Sequence, residues 1–247
     1  MEKQVEAIVE WLRQQLKQSG AKGFVVGVSG GIDSAVVANL IKRAAPENSL
    51  GVLLPIYTKP EHMTDSQKVI EKCGIDSLTL DLTESHNVMY SYIQDQLKGK
   101  NEFNESTDQL AGANLRARLR MSALYTVATN YNYLVVGTDN AAEWYTGYFT
   151  KYGDGGVDIL PIVDFTKSEV RELAKYLDVP EEVITKAPSA DLWEDQTDEK
   201  EMGTTYDRID AYLGGEEIPE KDKDIIELLH KRSAHKRDPL PQYKRKS

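Results

Sequence analysis

The feature that most limits what this chain can fold into is a strand-length apolar run, GFVVGVS (23–29), which breaks at Gly30-Gly31 and continues as a helix pattern from Asp33 to about Ala45. A buried strand feeding straight into a helix is characteristic of α/β sheets, which bind ligands beyond the carboxyl ends of their strands. The pattern recurs. LGVLLPIY (50–57), SLTLDL (77–82), YLVVGT (133–138) and the short ILPIVD (159–164) read as further strands. Between them lie helix patterns, one opening at Thr64 under a Thr64/Gln67 capping box and one opening near Ser106 under a Ser106/Gln109 box and running to Tyr131. Another is capped by Thr166 and Glu169 and ends near Leu177. The alternation predicts an α/β fold, a doubly wound parallel five-stranded sheet flanked by helices, spanning 1–247 as a single domain.

Composition narrows the function classes. The chain carries 30 Lys and Arg against 40 Asp and Glu, a formal charge of −10, which argues against a nucleic-acid-binding surface. The N-terminal stretch is an amphipathic helix pattern (Val5, Val9, Leu12, Leu16) with charges throughout, unlike a signal peptide, and no apolar run approaches membrane-spanning length. A cytoplasmic protein with no membrane partner is expected. The single cysteine, Cys73, allows no disulfide within a monomer and reads as a packing residue. The end of the chain, 230–247, is strongly basic. Charge alone favours a solvated tail there over an arm that reaches ligand phosphates.

The loop GVSGGIDS (27–34) carries the most chemical information. Gly30 and Gly31 let the backbone approach an oxyanion closely, and Ser29, Ser34 and the N–H groups that follow can cradle a phosphate at the positive end of a helix. A Walker loop is excluded because no Gly-Lys-Ser/Thr follows. The dinucleotide fingerprint fails because Ser29 and Ile32 stand where it needs glycine. Asp33 in the first helical turn would repel phosphate, so its presence suggests a divalent cation between them. An ordinary helix start, with Asp33 favoured by the dipole, is the plain alternative.

The run SGGIDS (29–34) resembles the SGG-x-DS pyrophosphate loop of the ATP pyrophosphatase family. Within that family, NLRARLRM (114–121), GTDNAAEWYTGYFTKYGDGGVDILPI (137–162), TKSEVREL (166–173), PSADLWEDQTDE (188–199) and AHKR (234–237) together resemble the ammonia-dependent NAD synthetases over nearly the whole chain. Most such enzymes carry His where this chain has Asn140 and Thr where it has Ser189; neither change removes hydrogen-bonding capacity.

The resemblance implies an adenine nucleotide alpha hydrolase-like fold and a homodimeric ligase that uses ATP, Mg²⁺ and ammonia to convert deamido-NAD to NAD, AMP and pyrophosphate. It implies that Asp33 and Lys167 are catalytic and that Asp33 and Glu143 hold Mg²⁺. It implies an ATP site at Gly27, Val28, Ser29, Gly30, Gly31, Ile32, Asp33, Ser34, Thr138, Lys167 and Ser189. Arg118, Lys151, Asp158, His235 and Lys236 match positions that hold deamido-NAD, with Arg118 reaching across the dimer. By spacing alone, Arg116, Arg118 and Arg120 read as solvated helix charges, and Tyr145, Tyr148 and Phe149 as core or as stacking partners for a base.

Two segments stand outside the alternation. The Gly-rich stretch 147–158 is too irregular for a strand, and the acidic stretch 187–203 reads as a lid loop. Beyond it, DRIDAYLGG and DKDIIELLHKR read as terminal helices. Rival functions are another ligase of the same family or a nucleotide sensor without turnover. Thiolation of RNA is disfavoured by the lone cysteine and the acidic charge. With one helix before the loop and no other thiol, no glutamine-hydrolysing site is expected.

Overall fold

The computed structural model describes residues 1–187 and 197–245. Strands β1 (Gly23–Gly27), β2 (Ser49–Leu53), β3 (Asp76–Thr79) and β4 (Tyr133–Val135) form one parallel sheet in the order β3-β2-β1-β4. Phe24, Val25 and Val26 are fully buried, as a central strand covered on both faces requires. After β1 the chain builds β2 and β3 on one side, then returns to place β4 on the other. This reversal puts a crevice at the carboxyl ends of β1 and β4, where doubly wound sheets hold their ligands.

The helices are α1 (Glu2–Ser19), α2 (Ile32–Ala44), α3 (Pro60–Cys73), α4 (Thr83–Gly99), α5 (Glu105–Tyr131), α6 (Ala141–Thr146), α7 (Lys167–Tyr176), α8 (Glu181–Thr185), α9 (Asp198–Met202), α10 (Tyr206–Leu213), α11 (Glu220–Arg232) and α12 (Ala234–Arg237). On one face of the sheet, Leu12 of α1, Leu40 of α2, Val69 of α3 and Leu173 of α7 share a core with Phe24 and Val26. On the other, Leu124 and Ala128 of α5 pack on Val25, Val52 and Val135. Removing a side chain such as Leu40, fully buried here, costs about 2–5 kcal/mol. A third cluster joins Ala142 of α6, Tyr206 and Ile209 of α10 and Ile226 of α11, with Tyr148 packed against it. Among the described residues, no helix is long and apolar enough to cross a membrane.

Several expectations need correction. Among the described residues the sheet has four strands, not five: in 159–164 only Ile159 pairs, by an isolated parallel bridge to Val136, because Pro161 has no N–H to donate and the chain turns there. The Thr64/Gln67 box does not form. Pro60 starts α3 a turn earlier, its fixed φ suiting the first helical position, and Thr64 Oγ1 instead donates to Pro60 O. The Ser106/Gln109 box is likewise pre-empted by Asn104, which caps α5 by accepting from Ser106 N. The Thr166/Glu169 box forms as expected. The stretch 187–203 is not wholly irregular, since 198–202 form α9; residues 188–196 of the expected lid lie outside the described residues.

Candidate active site

The loop after β1 is built for close approach. Gly30 has φ +78°, and a Cβ there would sit 2.9 Å from His62 O of α3, so only glycine fits. Ser34 Oγ donates to Gly31 O at 2.9 Å and accepts from Ser29 N at 3.2 Å, while Ser29 Oγ accepts from Gly31 N at 3.2 Å. These bonds curl the loop over the N-terminus of α2, where unpaired N–H groups and the dipole favour an anion. All of 27–34 except Gly30 lines a cleft of about 430 Å³.

Beside this loop the fold gathers three charged side chains. Lys167 Nζ donates to Asp33 Oδ2 at 2.6 Å and lies 3.3 Å from Glu143 Oε1, with the lysine side chain only 2% exposed. Burial alone would lower the Lys167 pKa, but the Asp33 and Glu143 carboxylates outweigh it and hold the ammonium above its ordinary value. Burial pushes Glu143 up to about 7 against the opposing pull of Lys167. Glu143 is fixed locally: Asn140 caps α6, its Oδ1 accepting from Glu143 N at 3.1 Å while Glu143 Oε2 accepts from Asn140 N at 3.2 Å. Asn140 Nδ2 then donates to Asp33 Oδ1 at 2.9 Å, so one side chain ties α6 to α2.

The other expected residues divide into groups. Thr138 and Lys236 line the cleft. Lys236 Nζ donates to the carbonyls of Gly147 and Phe149, the former at 2.6 Å. Gly147, at φ +69°, abuts Ser233 so closely that a Cβ would lie 2.1 Å from Ser233 Cβ, which brings α11 and α12 against α6. Arg118, Lys151 and His235 do not line the cleft but adjoin Ala117, Thr150 and Lys236, which do; Arg118 Nε donates to Lys151 O at 3.3 Å and Lys151 Nζ donates to His235 O, so these basic groups cluster. Asp158 does not line the cleft. Its carboxylate accepts from Val135 N at 2.8 Å and Tyr125 OH at 2.9 Å, capping the sheet edge. Ser189 lies outside the described residues. Of the aromatic residues, Tyr148 and Phe149 line the cleft, whereas Tyr145 stacks on His230 at 4.0 Å.

Sequence reasoning missed Asp139, Tyr206 and Asp210. Asp139 lines the cleft, is 5% exposed, and its Oδ2 has no hydrogen-bond partner among the described residues. Burial pushes its carboxyl well above the usual range, with Asp154 and Glu143 adding to the shift. The cap that sets Glu143 was legible as N-A-A-E at 140–143, but nothing local marks Tyr206 or Asp210.

Two carboxylates could hold a hard divalent cation here, although among the described residues no group of three or more acidic, His or Cys side chains gathers for one. Asp33 and Glu143 present carboxylate oxygens from separate helices beside an anion-binding loop, and a positive group, the Lys167 ammonium, already sits between them.

A family model described as NAD synthase matches residues 4–240. The chain belongs to the NAD synthase family. Among the family's members, the NH(3)-dependent NAD(+) synthetase of Alkaliphilus oremlandii is 59% identical over 241 residues, 98% of this chain and 96% of that protein. Among solved structures, an NMN synthetase from Francisella tularensis is 41% identical with a TM-score of 0.90, covering 98% of both chains. The NH3-dependent NAD synthetase from Campylobacter jejuni is 29% identical with a TM-score of 0.75, also covering 98% of both. The fold is that of NAD synthetases, adenine nucleotide alpha hydrolase-like, and the chain is a carbon–nitrogen ligase of this family.

Proposed function

We propose that this chain amidates deamido-NAD with ammonia at the expense of ATP, releasing AMP and pyrophosphate. The observation that carries the reading is the convergence of Asp33, Glu143 and Lys167 beside the 27–34 loop, at the point where the strand order reverses. The loop N–H groups and the Ser29 and Ser34 hydroxyls receive the β and γ phosphates. Lys167 offsets charge building on the departing pyrophosphate. Asp33 and Glu143 hold Mg²⁺, which when bound makes pyrophosphate a better leaving group. An oxygen of the nicotinate carboxylate bonds to the α-phosphorus as its bond to the bridging oxygen breaks. Ammonia then adds to the activated carbonyl, and AMP and a proton leave. Positioning and a dry cleft are what the protein adds, since hydrolysis of the adenylate would waste ATP.

In this reading Lys151, His235 and Lys236 meet the anionic dinucleotide; the resemblance alone assigns Arg118 to the partner's site. The resemblance alone assigns Asp158 to the substrate. A homodimer is supported by α4, which leaves Val88, Met89, Tyr92, Ile93 and Leu97 exposed along one helix beside α5, an apolar stripe that a two-fold copy would cover. A cytoplasmic location fits a chain that uses ATP.

The test is pyrophosphate release by the purified protein with ATP, Mg²⁺ and an ammonium salt. Release that depends on deamido-NAD and yields NAD supports the reading; no release with any acid substrate would mark a nucleotide sensor. A second arm uses nicotinic acid mononucleotide, because a relative with a TM-score of 0.90 carries the name NMN synthetase. A higher kcat/KM in that arm would reassign the substrate to the mononucleotide while keeping the chemistry.

A further inference from the structure

Helix α10 contacts the charged cluster twice, through residues one turn apart. Tyr206 is fully buried, and its hydroxyl lies 3.1 Å from Glu143 Oε1 and 3.0 Å from Asp198 Oδ2. Its ring lies under the Lys167 ammonium, with Nζ 4.7 Å from the centroid. Four residues on, the Asp210 carboxylate accepts from Lys167 N at 3.1 Å, from Ser168 N at 3.0 Å and from Ser168 Oγ at 2.9 Å, pairing the first two N–H groups of α7 while Thr166 caps the third. The spacing places both side chains on one face of α10, directed at α7.

We propose that Tyr206 and Asp210 are positioning residues for the adenylation site: α10 sets where Glu143 and Lys167 stand relative to Asp33. The hydroxyl has one proton and two carboxylates within reach. Donation to Glu143 fixes the orientation of Oε1, the oxygen facing Lys167 and Asp33. The ring supplies a face for the ammonium without competing for its protons. Asp210 acts at the other end of the same residue, holding the Lys167 backbone so that the side chain is aimed into the cleft. Neither residue is among those lining the cleft, so both act through others. This inference rests on the proposed metal and ATP roles of Glu143 and Lys167.

The test compares wild type, Tyr206→Phe and Asp210→Asn. Binding of Mn²⁺ is followed by electron paramagnetic resonance in the presence of α,β-methylene-ATP, alongside the Mg²⁺ dependence of amide formation. Tyr206→Phe keeps the ring and loses the hydroxyl. It is expected to weaken Mn²⁺ binding about tenfold and to shift half-maximal Mg²⁺ activation upward, with excess Mg²⁺ restoring turnover. Asp210→Asn retains only part of the α7 contacts and is expected to weaken binding of the ATP analogue while KM for the dinucleotide stays the same. A Tyr206→Phe protein with wild-type Mn²⁺ affinity and Mg²⁺ profile would reduce Tyr206 to a packing residue. Unchanged analogue affinity in Asp210→Asn would do the same for Asp210. Wild type that binds Mn²⁺ with the analogue yet forms no amide would refute the proposed function instead, leaving the positioning comparison readable.

Discussion

Lys167 Nζ and Asp33 Oδ2 stand 2.6 Å apart at the junction of two helix N-termini, and the lysine is the most buried charge described at the site. The pair joins residues 134 positions apart in sequence. Breaking such a pair leaves two carboxylates, Asp33 and Glu143, close together with no cation. Lys167→Met is expected to lower kcat by about 100-fold or more, since a charge-stabilising donor is lost. It should also destabilise the ligand-free protein by about 3 kcal/mol in urea denaturation. Added Mn²⁺ should recover stability in Lys167→Met more than in wild type, because the metal takes the place of the ammonium. Equal recovery in both would mean that Lys167 and the metal do not share a site.

Stability of the ligand-free protein should fall as pH rises, and Asp139 is a main reason. Its pKa is raised in the folded state, so between the ordinary value of 3.8 and the folded value the native protein binds more protons than the unfolded chain. The stabilising contribution is therefore fully present below the unfolded pKa and is lost as pH climbs through the folded one. Asp139→Asn removes the titration. It should be more stable than wild type by more than about 1 kcal/mol at alkaline pH and should flatten the pH dependence of Tm. A variant with the wild-type slope would show that Asp139 ionises freely in the native cleft.

The proposed sharing of the substrate site between subunits predicts complementation. Arg118→Ala and Asp33→Asn proteins, each inactive alone, should regain turnover when subunits exchange, because one site in each mixed dimer keeps both residues. Asp33→Asn alone should lose about 100-fold or more in kcat while remaining folded. No recovery after confirmed exchange, or an active monomer by sedimentation at assay concentration, would place Arg118 in its own subunit's site or outside the site altogether.

The nitrogen donor should be free ammonia. Cys73, the sole thiol in the sequence, ends α3 and packs against the sheet core, and burial pushes its pKa up to about 11. A thiol held protonated at neutral pH is a poor nucleophile for glutamine hydrolysis. Cys73→Ser should keep full ammonia-dependent activity, and wild type should form no amide from glutamine alone. At fixed total ammonium, the rate should climb with pH as unprotonated ammonia increases, until groups on the enzyme titrate. Glutamine matching ammonium as donor, with contaminating glutaminase excluded, would overturn this.

Much of this protein was determined locally. The buried run 23–26, the glycines that follow and the serine–aspartate start of α2 depend on residues adjacent in sequence, and short-range sterics and hydrophobic period specify them. The same holds for the Thr166/Glu169 cap, which fixes where α7 begins and hence where Lys167 stands. Local signals failed where a stronger neighbour lay upstream, as Pro60 and Asn104 did for α3 and α5, or where Pro161 denied a strand its donor. What the tertiary structure alone decided is how the cluster is assembled. Asn140 reaches Asp33, Tyr206 reaches Glu143 and Asp210 holds Lys167 across sequence separations of 107, 63 and 43 residues. No periodicity encodes those meetings. They follow from packing α6, α7 and α10 around one end of the sheet, and the tertiary fold likewise buries Asp139 and draws Lys167 between two carboxylates.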